Sequence, residues 1–487
     1  TFNPQARGIN GIGIGQGVQG QVLTDLGSTA RALRLAIQTE SVLANQKIYL
    51  IGYTYIINSE IIYAGQSTNQ WQVALVRYNW DGSIDTNFNA TRKSPGDNLP
   101  GPGVVLYSLP RGSIQGLAIK LQPDKKILIT GQAAGQLFVL RYNYDGTLDT
   151  TFNAGATTTT GGTPGIFMCS VVGYPTVPNT GQSVIGADIG YAIDLQSDGK
   201  IVVAGTGITQ QGYRALILVR LTANGQLDTT FGPQTSITPY PNQTIVQKGK
   251  VVTQIQGYDD EGLNMVIQPD DKIVVVGTSL DNSNGKYYIA VVRYLPNGIV
   301  DTSFGPQGLY ATPTFSDDGN LTTSKISLNG KVLTPINGST FATATGVTLQ
   351  TDGKIVISGF NNYATSVVNT QQTFCFGRYT TAGFLDVQTF NTAGTNATTD
   401  LATGVTAYPQ KGVRTVSIQG YNDKSFAVAM QPITPPKFTQ QQPFAVGSSL
   451  NFGTPQAYLE QIYAFSASRL TASGLVDGTL TVTFTNA

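Results

Sequence analysis

Short runs of apolar residues recur along the chain, and turn residues separate them. Paired apolar runs flank a turn of Pro, Asp, Gly and Lys at 121–131 (LQPDKKILITG), 195–205 (LQSDGKIVVAG), 267–277 (IQPDDKIVVVG) and 349–359 (LQTDGKIVISG). Two such runs around a short turn are typical of a β-hairpin. No segment keeps a helical period, so the pattern predicts an all-β fold.

A second motif follows each hairpin at the end of an apolar run. It has an Arg, a Gly five residues later and an Asp eight residues after the Arg. Six copies occur: RYNWDGSIDTNFN (77–89), RYNYDGTLDTTFN (141–153), RLTANGQLDTTFG (220–232), RYLPNGIVDTSFG (293–305), RYTTAGFLDVQTF (378–390) and RLTASGLVDGTL (469–480).

One more extended segment, such as GKVVTQIQG at 249–257, precedes each hairpin, so each unit is expected to contain four strands. Four short strands repeated along the chain predict one β-propeller of six four-stranded blades, with seven blades as the alternative. The predicted domain is 1–487, with a Gly/Ile-rich segment at 1–19 and an extra strand at 480–487. Its units are approximately 20–90, 91–155, 156–234, 235–308, 309–394 and 395–480.

The hairpin and the motif that follows it together resemble the delta-60 repeat, a propeller-type repeat of secreted and surface proteins, mostly from bacteria. The resemblance covers about residues 20–480 and is strongest in repeats 2 to 5. It implies a propeller fold and export, and the family has no common catalytic residues. The opening TFNPQ matches the end of a unit, so we expect a start near a mature terminus after a removed signal peptide. An upstream repeat lost by truncation is the alternative.

Composition narrows the function classes. Charged residues make up 12 % of the chain, against roughly 25 % in an average protein, and the formal net charge is +1. Without a run of Lys or Arg, nucleic acid is not an expected partner. The chain has no His, which excludes histidine-based triads and histidine-bound metals. Cys169 and Cys375 are expected to be buried thiols rather than a disulfide.

The repeated motif has a metal interpretation and a structural one. A calcium site would use Asn79, Asp81 and Asp85, but the middle ligand is missing from later repeats. A structural turn needs only Gly for a positive φ and an Asp that accepts a bidentate hydrogen bond from Arg. The predicted structural pairs are Arg77–Asp85, Arg141–Asp149, Arg220–Asp228, Arg293–Asp301, Arg378–Asp386 and Arg469–Asp477.

The densest acidic cluster is YDDEG, with Asp259, Asp260 and Glu261, and Asp281 is a similar weak candidate in DNSNG. These carboxylates are candidates for calcium or for acid and base chemistry. A solvated turn is the expected role, because repeat 6 has YNDKS at the matching place. We therefore expect no catalytic residues and no cofactor, with calcium as the one exception considered. The segment 8–20 (GINGIGIGQGVQG) lacks the context of a nucleotide fingerprint and is predicted to be extended.

The longest connections, at about 153–186, 306–329, 391–411 and 432–460, are expected on one face of the propeller. The terminal strands would either close the ring within one chain or add to a neighbouring subunit. The sequence thus favours a non-catalytic, exported structural or interaction protein that binds other proteins, including copies of itself. The alternative is a glycan-binding module or a carbohydrate-active enzyme that uses Asp carboxylates.

Overall fold

A computed structural model describes twenty-four segments or single positions of the chain. They are residues 22, 24, 26, 29–56, 62–63, 66–67, 70–90, 101–109, 112–156, 162–171, 188–209, 212–233, 236–240, 243–246, 248–306, 314–315, 321–322, 329–364, 370–392, 410–416, 422–431, 442–451, 462–470 and 476–484. The Gly/Ile-rich segment at 8–20 lies outside them, as do most residues of the long connections.

The first part of the chain contains seventeen strands and one turn of 3-10 helix, Leu43–Asn45. The strands are β1 (Ala30–Gln38), β2 (Lys47–Ile56), β3 (Ile62–Tyr63), β4 (Gln66–Ser67), β5 (Gln70–Asn79), β6 (Val104–Tyr107), β7 (Ile114–Leu121), β8 (Ile127–Ala133), β9 (Gln136–Tyr142), β10 (Gly162–Thr163), β11 (Ile166–Cys169), β12 (Ile189–Leu195), β13 (Ile201–Ile208), β14 (Arg214–Leu221), β15 (Ser236–Tyr240), β16 (Gln243–Val246) and β17 (Lys250–Thr253).

The second part of the chain continues with strands only. They are β18 (Asp260–Ile267), β19 (Ile273–Asp281), β20 (Lys286–Tyr294), β21 (Thr314–Phe315), β22 (Leu321–Thr322), β23 (Lys331–Thr334), β24 (Ser339–Leu349), β25 (Ile355–Ala364), β26 (Thr370–Tyr379), β27 (Val413–Val416), β28 (Asn422–Gln431), β29 (Gln442–Asn451), β30 (Ile462–Leu470) and β31 (Val476–Phe484). The described residues contain no helix with the length and hydropathy needed to cross a membrane.

The main strands form antiparallel sheets with four strands each, numbered here along the chain. They are sheet 1 (β1-β2-β5-β6), sheet 2 (β7-β8-β9-β11, extended by β10), sheet 3 (β12-β13-β14-β17), sheet 4 (β18-β19-β20-β23), sheet 5 (β24-β25-β26-β27) and sheet 6 (β28-β29-β30-β31). One parallel bridge between Tyr287 and Phe341 joins sheets 4 and 5. The all-β prediction is confirmed, while the number of blades stays a prediction.

The boundaries of the sheets differ from the predicted units by one strand. The extended segment placed at the start of each unit is the last strand of the preceding sheet; for example, β6 pairs with β5 on the other side of the Arg77 turn. Likewise, residues 480–484 of the predicted extra strand at 480–487 belong to β31, the fourth strand of sheet 6. The predicted insertion at 432–460 contains β29, a regular strand of that sheet. The apolar pattern identifies strands, but it does not show which neighbour each strand pairs with.

The second strand of sheets 1 to 5 contains a glycine where the first strand leaves no room for a Cβ. A Cβ at Gly277 in β19 would lie 1.8 Å from the carbonyl oxygen of Glu261 in β18. Beside this contact the register of β18 shifts between Gly262 and Asn264, which is a β-bulge. Gly52, Gly131, Gly205 and Gly359 make the same close approach to a bulged first strand. This is why the hairpin of each repeat ends in Gly.

The chain divides into two compact units. One consists of Thr1–Gly212, Ile217–Phe231 and Thr235–Val251, and the other of Tyr213–Leu216, Gly232–Gln234 and Val252–Ala487. In the first unit, Ile51 and Leu75 of sheet 1 pack with Ile129 and Leu140 of sheet 2. In the second unit, the branched side chains of sheets 4 and 5 pack together in the same way. Each core therefore lies between successive sheets.

Candidate functional site

The structure brings the Arg and Asp of the motif into direct contact in five repeats. The Nε–Oδ2 distances are 2.8 Å (Arg77–Asp85), 2.7 Å (Arg141–Asp149), 2.9 Å (Arg220–Asp228), 2.9 Å (Arg293–Asp301) and 3.0 Å (Arg378–Asp386). All ten residues are buried. The side chains of Arg469 and Asp477 lie outside the described residues.

The expected bidentate geometry is wrong at Arg77, Arg141 and Arg293, because each donates to its Asp through Nε alone. In Asp149, Oδ2 accepts from Arg141, and Oδ1 accepts from the backbone N–H and the hydroxyl of Thr151 at 3.1 Å and 2.6 Å. A lysine from the hairpin adds a second cation: Lys126 Nζ lies 2.9 Å from Oδ2 of Asp149. Lys47 and Lys354 have the same role at Asp85 and Asp386, at 3.0 Å and 3.3 Å.

These partners explain the acidity of the aspartates. Burial opposes ionisation of Asp149, but hydrogen bonds from Thr151 and Lys126 and the charge of Arg141 outweigh it and lower the pKa to about 2. The pKa values of Asp85, Asp228, Asp301 and Asp386 are also lowered against the effect of burial. Each aspartate is thus held as a carboxylate whose lone pairs are already used.

The motif's phenylalanine completes the turn, and this residue was not identified as a site residue from the sequence. The guanidinium of Arg141 lies 4.6 Å from the ring centroid of Phe152, and the ring is fully buried. Equivalent contacts exist at Phe88, Phe231, Phe304 and Phe390, at 4.3 Å to 4.8 Å. The guanidinium is therefore bound by a carboxylate in its plane and by an aromatic ring at its face.

The motifs of Arg77, Arg141 and Arg293 also contact the turn of the following repeat. Nη1 of Arg141 donates to the carbonyl of Ala223, at 2.6 Å, and Arg293 donates to Thr381 at the same distance. The ring of Phe152 also packs against the next turn, because a Cβ at Gly225 would lie 2.5 Å from that ring. Gly225 has φ +88°, so both its conformation and its packing require glycine. The motif is a joint between successive repeats.

The acidic candidates Asp259, Asp260 and Glu261 do not converge on one point. Oδ1 of Asp259 accepts from the backbone N–H of Arg214 at 2.9 Å, and Glu261 forms an ion pair with Nη1 of the same arginine. Asp260 is fully buried, and its Oδ2 accepts from the N–H of Ile255 at 2.7 Å. The expected solvated turn is therefore wrong for Asp260, because this side chain points into the protein and tethers the preceding loop.

Asp260 belongs to a second repeated contact that sequence reasoning missed. Its counterpart in the first unit is Asp188, whose Oδ2 accepts from Val171 N–H at 2.7 Å. In both places a lysine also donates to the backbone carbonyl of the residue that precedes the bound N–H. Lys331 donates to Gln254, which precedes Ile255, at 2.8 Å, and Lys250 donates to Ser170, which precedes Val171. The signal available in the sequence is the position of Asp188 and Asp260, each eight residues before the hairpin glutamine. Burial raises the pKa of Asp260 to about 6.

Asp281 caps a turn. Its Oδ1 accepts from the N–H and hydroxyl of Ser283 at 2.9 Å and 2.6 Å, and its Oδ2 accepts from Asn284 at 3.0 Å. In the described part of the chain, no group of three Asp, Glu or Cys side chains is placed to hold a metal ion. Cys169 and Cys375 are both free thiols; Cys375 is buried, as expected, whereas Cys169 is only half-buried.

Four segments of the chain match a family model described as "Domain of unknown function (DUF5122) beta-propeller". The matches cover residues 58–88, 122–152, 196–231 and 268–304. The last three matches begin at the glutamine of a hairpin, the first begins after β2, and all four end at the phenylalanine that packs on the motif arginine. The repeats of this chain are therefore β-propeller repeats, and the propeller prediction is confirmed. No curated protein sequence matches the chain significantly.

Two solved structures similar to the chain have little sequence in common with it and TM-scores below 0.5. A subtype N11 neuraminidase-like protein of A/flat-faced bat/Peru/033/2010 has 9 % identity and a TM-score of 0.36, with 93 % of this chain and 98 % of that chain covered. An endo-1,5-alpha-L-arabinanase from Thermotoga petrophila has 10 % identity and a TM-score of 0.27, with 92 % and 98 % covered. Neither similarity bears on what this chain binds or catalyses.

Proposed function

We propose that the protein is a non-catalytic, exported propeller scaffold of delta-60 type repeats, which assembles at a cell or particle surface with copies of itself. The observation that carries the proposal is the outer strand of sheet 6. β31 spans nine residues and, in the described part of the chain, pairs only with β30. The fourth strands of sheets 1 to 5 have four residues each, and β10, which extends sheet 2, has two.

The length of β31 matters because an edge strand presents unpaired N–H and C=O groups. Proteins that stay monomeric commonly keep such edges short or charged. The sequence of β31, VDGTLTVTF, has one charged residue, Asp477, and no Pro. An edge of this kind accepts a strand from another chain through backbone hydrogen bonds. Addition at β31 would join one scaffold to the next.

The state of the carboxylates supports a non-catalytic role. The motif aspartates of five repeats bind an arginine, and Asp260 binds a loop N–H. A general acid or base needs a carboxyl group that can reach substrate, and these groups are buried within the joints. Export is supported by the resemblance to secreted repeat proteins and by the low content of charged residues, 12 %.

The test is light scattering of the full chain over a wide concentration range, together with negative-stain imaging. We expect the wild type to form chains or rings joined end to end. Thr481→Lys places a charge in β31 and should weaken association roughly tenfold or more. Thr163→Lys is the matched control, because Thr163 is exposed in β10, a two-residue edge strand of sheet 2. A wild type that stays monomeric throughout, or equal association of both variants, would contradict the proposal.

A second candidate function is glycan binding. A strip of aromatic and charged side chains in the second unit favours it.

A further inference from the structure

A row of half-exposed aromatic rings crosses the second unit at one end of its strands. The rings of Tyr213 and Tyr258 meet edge to face, with centroids 5.4 Å apart. The rings of Tyr287 and Phe341 are tilted at 5.2 Å, and those of Phe341 and Phe360 stack at 5.8 Å. We call these five residues, with Arg214, Asp259 and Glu261, the aromatic strip.

The topology explains why these residues meet. β20 begins just before Tyr287 and β24 just before Phe341, and the bridge between these two residues joins sheets 4 and 5. β25 runs antiparallel to β24, so it ends at the same place, near Phe360. Arg214 begins β14, and its contacts with Asp259 and Glu261 bring the start of β18 to the same end.

Charged side chains lie beside the rings and are already neutralised. The side chains of Arg214 and Glu261 pair with each other while remaining 49 % and 24 % exposed. Burial and the negative charge of Asp259 raise the pKa of Tyr287, which places this ring within electrostatic range of the charged group. A paired guanidinium keeps free N–H donors, and a paired carboxylate keeps free acceptor positions. The strip therefore offers hydrogen bonds without a strong net charge.

Unused hydrogen-bonding groups follow Phe360 in β25, next to the far end of the strip. Asn361 is fully buried, and its Oδ1 accepts from Thr373 at 2.9 Å. No described group accepts from its Nδ2, and no described group donates to Oδ1 of the adjacent Asn362. Buried polar atoms are normally satisfied, so such a pair next to Phe360 and Phe341 indicates a place where a polar ligand or ordered water completes the structure.

We infer that the aromatic strip binds a neutral glycan. The C–H faces of sugar rings pack on aromatic side chains, while their hydroxyl groups pair with the neighbouring carboxylate and guanidinium groups. The inference rests on the glycan-binding candidate and is independent of assembly through β31.

The surroundings of the strip favour a glycan over a protein partner. A protein interface is usually centred on a dry apolar cluster with few charged residues. Here an ion pair lies beside the rings. Of the large apolar side chains exposed by more than a third in the described residues, only Tyr213, at 37 %, belongs to the strip. A ligand with alternating polar and apolar surface fits this arrangement better.

The experiment measures binding of the full chain to immobilised cellohexaose, xylohexaose, mannohexaose and chitohexaose. We expect binding to at least one of them. The double variant Tyr213→Ala with Tyr258→Ala should weaken that binding roughly tenfold or more, whereas Tyr213→Phe with Tyr258→Phe, which keeps both rings, should retain it. Trp80→Ala is the matched control, because Trp80 is a similarly exposed aromatic, at 38 %, in the first unit. Circular dichroism of each variant checks the fold.

Binding to none of the four oligosaccharides would overturn the inference, as would equal binding by the Ala variant. The same measurement on Thr481→Lys separates the two proposals. If assembly fails and strip binding persists, only the scaffold proposal is lost. If assembly occurs without glycan binding, only the strip is lost.

Discussion

Arg141 donates a hydrogen bond from Nη1 to the carbonyl oxygen of Ala223, 2.6 Å away, in the turn of the next repeat. The same guanidinium binds Asp149 through Nε and lies over Phe152. One side chain thus joins the carboxylate of its own turn to the backbone of the following one. The motif that resembles a charged site is the joint between propeller repeats.

Replacing Arg141 should destabilise the first unit strongly. Arg141→Met keeps the length of the side chain but leaves the buried carboxylate of Asp149 with Lys126 as its one cation. Removing one partner of a buried ion pair typically costs about 3 kcal/mol or more. Differential scanning calorimetry should show a clearly lower Tm. Arg31→Met is the control, because Arg31 is exposed on β1, and a similar Tm in both variants would contradict the prediction.

The motif aspartates should make the protein acid-sensitive. The pKa of Asp149 is about 2 in the folded chain and about 3.9 in an unfolded one. The stabilisation is therefore complete above pH 4 and is lost as the pH falls towards 2. Urea unfolding at several pH values should show this loss. In Asp149→Asn the slope over the same range should be smaller, and an unchanged slope would mean that Asp149 is not held ionised.

Asp260 should act in the opposite direction. Its pKa is raised to about 6 by burial, so the folded chain holds this proton more tightly than the unfolded one. Its contribution favours folding below pH 4 and is lost as the pH rises through 6. Asp260→Asn keeps an oxygen acceptor for Ile255 N–H. Compared with the wild type at the same pH, this variant should gain more stability in the second unit at pH 7 than at pH 4. Asp124→Asn, at an exposed hairpin turn, controls for removing one carboxylate.

Repetition is the reason why much of the joint could be predicted from the sequence. The fixed spacing of Arg141, Gly146 and Asp149 and their repetition in every unit identified a structural turn rather than a metal site. The contact with Ala223 could not be predicted, because it joins residues 82 positions apart. The motif's phenylalanine was visible, but its role depends on the glycine of the next repeat that packs on it.

The remaining errors have the same origin in long-range contacts. A strand pattern is identical whether a strand closes its own sheet or the preceding one, so the assignment of β6 required the structure. Asp260 was interpreted as part of a solvated turn because repeat 6 has YNDKS at the matching place. The bulge in β18 and the tether to Ile255 place its side chain in the interior instead.

The most direct test of the joint compares two glycines of the first unit with nearly the same backbone conformation. Gly225 has φ +88° and would place a Cβ 2.5 Å from Phe152, while Gly212 has φ +84° and open space around it. Both Ala variants carry the same conformational strain, so their difference isolates packing on the neighbouring repeat. Urea unfolding should show Gly225→Ala to be less stable than Gly212→Ala by about 2 kcal/mol. Equal stability of the two variants would contradict the claim that the motif joins successive repeats.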